Sequence, residues 1–495
     1  MKSFSVASFF FAAVLAAAAQ TNTDAGTTRS MSLTDCIQEA LAHNLDVQIQ
    51  RINPQISLYD LNADYGGYDP TLSISGQHTH DESGAEGAKS STSDANSFSS
   101  SLDGSTPWGM TYGLSGNASK TYNSVFPVSL TNIFQSSGGS VQLNVTQPLL
   151  KNFWVDNNRL TIRVAKNRLK YSEQGLRLQI ITTVTAVQNA YYELIYAQDN
   201  VTVQQEALDL AQTQLDQDKQ RVQIGTLAPL SVQSDESQVA SSKASLIAAQ
   251  NALSIDQNTL KNLVTDAYVE WHGTNIQPTA TLEAPLQLFD LQDSWNKGMT
   301  ERPDLLQARL NVEQQGIQLK FSYNQLFPEL DLIGTYGYNG AGQSYNDTFN
   351  QINSGDRPFY TYGAQISVPL SNTGPRNQYK TAKATMQQVV LQLKQFEQNV
   401  MVEIDNAVKQ AQSVYESVDA TRQARIYAEA ALDAEQKTYA AGKATTFEVL
   451  QYQSALTSAR GQEIRSLADY EEALSNLAEQ EGSTLERNGI DIDAK

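Results

Sequence analysis

Apolar residues return every seven positions at Ile180, Val187, Leu194, Val201, Leu208, Leu215 and Val222. A strict period of seven predicts a long helix with a left-handed supercoil. No proline interrupts the chain from about Asn158 to Ile224, so this helix runs for roughly 100 Å at about 1.5 Å per residue. Gly225 ends it, and Pro229 stands where a second helix can begin. That helix resumes the period at Val232, Val239, Leu246, Leu253 and Leu260. Later in the chain Val449, Leu456, Tyr470 and Leu477 repeat it, with Glu463 as the one polar hit. The flanking positions are rich in Ala, Ser, Gln, Asn and Asp. One narrow apolar stripe per helix buries little inside a single globule. It fits helices packed side by side around a water-filled bore, and equally a solid antiparallel coiled coil.

A second pattern has period two. Tyr360, Tyr362, Ala364, Ile366 and Val368 alternate with polar or small residues, as do Val141, Leu143 and Val145, and Leu72 and Ile74. Such alternation over about ten residues is the signature of a membrane β-barrel strand. Pro70 and Pro328 open two of these segments and Pro148 and Pro369 close two, positions that tolerate a missing donor. Phe153, Trp154, Tyr336 and Tyr338 are expected near strand ends, as an interfacial girdle. Two strands per half make four per chain, too few to close a barrel, and an open edge is forbidden in lipid. Either several chains close one barrel or the strands lie outside a membrane. The Ser/Gly-rich stretch 81–138 holds a further hairpin across Ser97–Asp103, Pro107–Gly109 and Thr111–Ala118, which either decorates the outer rim or joins the barrel.

Both patterns occur twice. At a shift of 258, Leu33 meets Leu291, Asp46 meets Asp304, Arg51 meets Arg309, Tyr65 meets Tyr323 and Pro70 meets Pro328, with ten identities in 44 ungapped positions. At a shift of 217, Ala165 meets Ala382, Ala190 meets Ala407 and Gly225 meets Gly442. The expected organisation is a signal peptide at 1–19, a first repeat at 20–264, a connector at 265–289, a second repeat at 290–482 and a tail at 483–495.

The signal peptide rests on Lys2, the apolar run from Phe9 and the small residues Ala17–Ala19. Beyond it no run is apolar enough to span a bilayer as a helix, so a membrane-embedded form must be a closed barrel. The net charge of −19 becomes −20 once Lys2 is removed, which argues against nucleic acid as a partner. Cys36 is the only cysteine, so there is no disulfide framework. The four histidines are scattered, and no catalytic constellation or cofactor site emerges. His78 and His80 can share one strand face, but a pair without a nearby carboxylate or thiolate is a weak metal site, and none is expected. Gly337–Gly342 lies between strands and precedes no helix, so it is expected to be a loop and not a phosphate cradle.

The ordered set of these features resembles the TolC-like outer-membrane efflux family over Leu33 to Gly482. Leu41–Asp46 with its partner Arg302–Leu305, and the tips Val222–Thr226 and Tyr439–Lys443, are typical of it. The resemblance implies a mainly α fold with membrane β: a homotrimeric 12-stranded β-barrel continuous with a long periplasmic α-helical barrel. It implies an outer-membrane location, a periplasmic adaptor and an inner-membrane pump as partners, and passive export without catalysis. It also implies a periplasmic gate at Tyr439 and Glu448, with Gln451 and Ser231 where other members carry further acids. The helical tips Gly225, Thr226, Gly442 and Lys443 would contact the adaptor. Asp235 or Glu236 is the next candidate if the acidic ring is not at Glu448. The rival class is a secreted structural or adhesin-type coiled coil without a pore.

Overall fold

The computed structural model describes residues 28–84, 91–125, 132–285, 287 and 289–491; the expected signal peptide and the last four tail residues lie outside them. Strand β1 (Thr28–Met31) leads into helices α1 (Leu33–His43) and α2 (Leu45–Tyr65). Four strands follow: β2 (Thr71–Ser83), β3 (Ser91–Ser105), β4 (Thr111–Val125) and β5 (Asn132–Pro148). Then come the long helix α3 (Asn157–Gln223) and its shorter partner α4 (Pro229–Val264). A one-turn helix α5 (Tyr268–Trp271) and strand β6 (Asn275–Pro278) occupy the connector. The second repeat has α6 (Leu291–Glu301), α7 (Pro303–Asn324), β7 (Glu329–Gly342), α8 (Tyr345–Ser354) and β8 (Pro358–Ser367). It closes with α9 (Thr373–Ala440), α10 (Thr446–Glu481) and the short α11 (Thr484–Arg487).

The halves match in length: α3 and α4 have 67 and 36 residues, α9 and α10 have 68 and 36. Along α3 the heptad residues Ile180, Val187, Leu194 and Leu215 are buried against neighbouring helices, while most of the outer positions stay wet. Asn44 caps α2 through its side-chain oxygen, and its amide donates to Leu263 O at the end of α4, 3.0 Å. Its repeat mate Arg302 performs the same joining at the head of α7. It donates to Gln480 at the end of α10 and pairs with Glu403 on α9 at 2.8 Å.

Midway along the helices sits the main core, where Met31, Cys36, Ile37 and Ala40 pack on Ile181, Tyr191 and Leu194. Beside this core, strand β6 of the connector pairs in parallel with β1. Gln257 fixes β6 by bonding both the N–H and the C=O of Ile276 at 2.9 and 2.7 Å. Four-residue strands whose partners lie 247 residues apart leave no periodic trace in a sequence.

The remaining strands form one antiparallel sheet in the order β2-β3-β4-β5-β7-β8. Among the described residues this sheet has six strands where four are expected, and the hairpin open between rim and barrel is β3–β4, inside the sheet. Gly337–Gly342 is likewise a strand and not a loop. Helix α8 accounts for two of its glycines: it lies on the sheet there, and a Cβ on Gly340 or Gly342 would run into Thr348 O or Asp347, whereas one on Gly337 would meet Val141 O of the paired β5. Tyr336 and Tyr338 stand within β7 rather than at its ends, with their hydroxyls bonded to each other at 3.0 Å.

Candidate functional site at the helical tips

Both long helices end the same way. Gly225 and Gly442 take positive φ, +78° and +71°, the left-handed conformation that glycine adopts without a Cβ penalty. In each tip the amide of the next residue reaches back five positions, Thr226 N to Arg221 O at 2.9 Å and Lys443 N to Thr438 O at 3.1 Å. These bonds satisfy carbonyls that the helix end would orphan. Thr226 adds a hydroxyl bond to the same Arg221 oxygen at 3.0 Å. Gly225, Thr226, Gly442 and Lys443 are all exposed.

Just inside the tips the four helices are clasped together. Asp218 of α3 is fully buried, and the Tyr439 hydroxyl of α9 donates to its carboxylate at 2.6 and 2.8 Å. Thr446 of α10 donates to the same carboxylate at 3.0 Å. The Arg221 guanidinium lies 4.4 Å over the Tyr439 ring, an attraction to the ring face that holds the phenol from the other side. Asp235 of α4 completes the cluster. It too is fully buried, and no donor meets either of its carboxylate oxygens. Burial, then the charge of the adjoining Asp218, pushes its pKa up to about 7. The clasp is thus an acid pair inside a helical seam, restrained by two hydroxyls.

Glu448 sits at the third position of α10, where its carboxylate accepts from Thr445 N at 2.7 Å and from Thr445 Oγ1 at 2.9 Å. The reciprocal bond from Glu448 N to Thr445 Oγ1 closes a capping box. These bonds hold the exposed carboxylate below its ordinary range. Gln451 is exposed and Ser231, near the start of α4, is half-buried. Glu236 faces solvent and pairs with Lys219 across α3–α4 at 3.2 Å. Of the residues expected at a gate, the structure brings only Tyr439 into the clasp. Asp218 lies outside the residues expected from the sequence, and Asp235 is expected only as an alternative to Glu448 in an acidic ring. Their signal was present in the sequence: each lies three residues beyond a heptad hit, Leu215 or Val232, on the seam where an apolar residue belongs.

At the far end of the molecule His78 and His80 do share a strand face. Their partners lie on β3: Asn96 at 2.9 Å and the carboxylate of Asp94 at 2.5 Å. The supposed absence of a nearby carboxylate is corrected by this pairing. Among the described residues no group of three or more metal-ligating side chains converges.

The family model described as outer membrane efflux protein matches residues 109–265 and 297–483. The outer membrane protein TolC of Salmonella enteritidis is 25% identical over 286 residues, 57% of this chain and 57% of that protein. The TolC of Vibrio cholerae is 24% identical over 368 residues, 72% of this chain and 79% of its own. The chain thus spans little more than half the length of the Salmonella relative. Among solved structures, the outer membrane protein VceC of Vibrio cholerae superimposes with a TM-score of 0.67 at 19% identity, covering 91% of this chain and 96% of that one.

Proposed function

We propose the function of this chain from one premise: it belongs to the outer membrane efflux protein family. Three copies form a passive duct, with the sheets in the outer membrane and the helices reaching through the periplasm. The duct performs no chemistry on its cargo. The observation that carries this reading is the two-faced sheet. Leu72, Leu143, Tyr336 and Tyr360 line one face, and Thr71, Asn144, Thr335 and Thr361 line the other. Leu72 and Tyr360 are respectively 65% and 71% exposed in the single chain. A secreted coiled coil has no use for so much apolar surface on a sheet.

In this reading the exposed tips Gly225, Thr226, Gly442 and Lys443 meet a periplasmic adaptor, which links the duct to an inner-membrane pump. A photo-crosslinker at Thr226 or Lys443 should capture one adaptor species in cells. Capture of none, with crosslinks appearing only from α1 and α6, would contradict that contact.

Tyr439, Glu448, Gln451 and Ser231 belong to the periplasmic gate, where three copies of Glu448 would make a negative ring. Glu448→Gln separates charge from structure, because glutamine keeps the capping box. The variant should show weaker cation selectivity and weaker divalent-ion block in planar bilayers, with little change in thermal stability. Equal selectivity and block in variant and parent would place the ring elsewhere.

A further inference from the structure

We propose that hairpin β3–β4 is part of the transmembrane wall, so that three copies of this chain close, β8 of one against β2 of the next, into a barrel of 18 strands. The proposal rests on the reading of the chain as a trimeric duct and goes beyond the expected 12 strands. Its ground is a single row of side chains that crosses the whole sheet. Leu72 pairs with Leu102, Leu102 with Leu114, Leu114 with Leu143, Leu143 with Tyr336 and Tyr336 with Tyr360. Directly paired residues share a face, so one apolar row runs through β3 and β4 without a break. One residue along, Thr71, Asp103, Gly113, Asn144, Thr335 and Thr361 form the matching row on the opposite face. A hairpin decorating the rim would need neither row.

Three further features tie the hairpin into the wall. Its turn reaches the helical end of the sheet, where Arg159 of α3 donates to Pro107 O at 2.6 Å. Beside it, Ser105 donates to Gly67 O at 3.0 Å. The hairpin therefore spans the full height of the sheet. Helix α8, from the other repeat, crosses the apolar face of β7 and β5 and reaches β3. There the Tyr345 hydroxyl donates to Asn96 O at 2.9 Å, and its ring meets Phe98 edge-on. Finally, inserting two strands keeps the number per chain even. The sheet's two free edges, β2 and β8, therefore run in opposite directions and can pair antiparallel between copies. Open edges are excluded from lipid, and a second copy offers the complementary edge.

The consequence is width. For strands about 4.8 Å apart and tilted by about 40°, 18 strands enclose a backbone cylinder roughly 36 Å across, against about 24 Å for 12.

The test uses single cysteines in intact trimers in native outer-membrane vesicles. Cys36 gives no background, being buried with its thiol pushed up to about 12. Leu114→Cys should react with a lipid-partitioning maleimide and at least tenfold more slowly with a charged methanethiosulfonate than Ser115→Cys does. The pair Leu143→Cys and Gln142→Cys in β5 serves as reference. If the reference pair shows this split while Leu114→Cys reacts with the charged reagent as fast as Ser115→Cys, the hairpin lies outside the wall and the proposal fails. Loss of the split in the reference pair too would overturn the duct reading itself. A cryo-electron-microscopy map of the trimer gives the count directly, 18 strands if the proposal holds and 12 if it does not.

Discussion

Asp235→Asn should abolish most of the pH response of the helical tips. The Asp235 carboxyl is held protonated to about pH 7 by burial and by Asp218, whereas an unfolded aspartate titrates near 3.9. Because the folded pKa is raised, the folded tip binds the proton more tightly than the unfolded chain does. The stabilisation is therefore fully present below about pH 4 and is lost as the pH rises towards about 7. Within that window each pH unit removes up to about 1.4 kcal/mol per chain. Above it two facing carboxylates stand in one buried seam between α3 and α4, and their repulsion favours parting at the tip. Hydrogen exchange over 214–240 and 436–452, corrected for the intrinsic rate, should show at least tenfold weaker protection at pH 8 than at pH 5.5. Asparagine can donate to Asp218 at either pH, so the variant should be protected equally at both. A pH response in the variant as large as the parent's would show that the acid pair is not its source.

Tyr439→Phe should open the clasp from the other side. The substitution keeps the ring under Arg221 and removes only the hydroxyl that donates to Asp218. Asp218 is then left buried with the Thr446 hydroxyl and, below about pH 7, the Asp235 carboxyl as its side-chain donors. Losing a hydrogen bond to a buried charge costs roughly 1.5–3 kcal/mol, about a tenfold to hundredfold shift towards the open tip in each chain. Planar bilayers should show it as a higher open probability, with the same selectivity as the parent. Unchanged gating would mean that the clasp does not hold the tip closed.

The sequence announces the long helices and their ends because coiled-coil packing repeats one requirement every seven residues, and Gly225 and Gly442 answer a backbone need no other residue meets as well. It is less informative where packing is not periodic. Strands β3 and β4 alternate, but their outward residues between Phe98 and Leu114 are diluted by Ser100 and Gly104, so the hairpin carries a weaker signal than β8. The stretch 337–342 resembles a loop because what selects its glycines, helix α8 over Gly340 and Gly342 and the close approach of Val141 O to Gly337, comes from residues distant in the chain. Asp218 and Asp235 were visible as seam residues of the wrong polarity. What could not be read is that the two seams meet, which depends on α3 and α4 folding back on each other at Gly225. The repeat also conceals them: at the shift of 217 Glu435 answers Asp218 but Tyr452 answers Asp235, so the buried acid pair belongs to the first half alone.

If this chain works as a membrane-embedded trimer, its mass after extraction is that of three chains. Multi-angle light scattering of protein extracted from outer membranes in a mild detergent should give three chains per particle after subtraction of the bound detergent. The sheet's apolar face predicts that the particle precipitates when detergent is withdrawn. A monodisperse monomer, stable without any detergent, would mean that the protein is not a membrane duct.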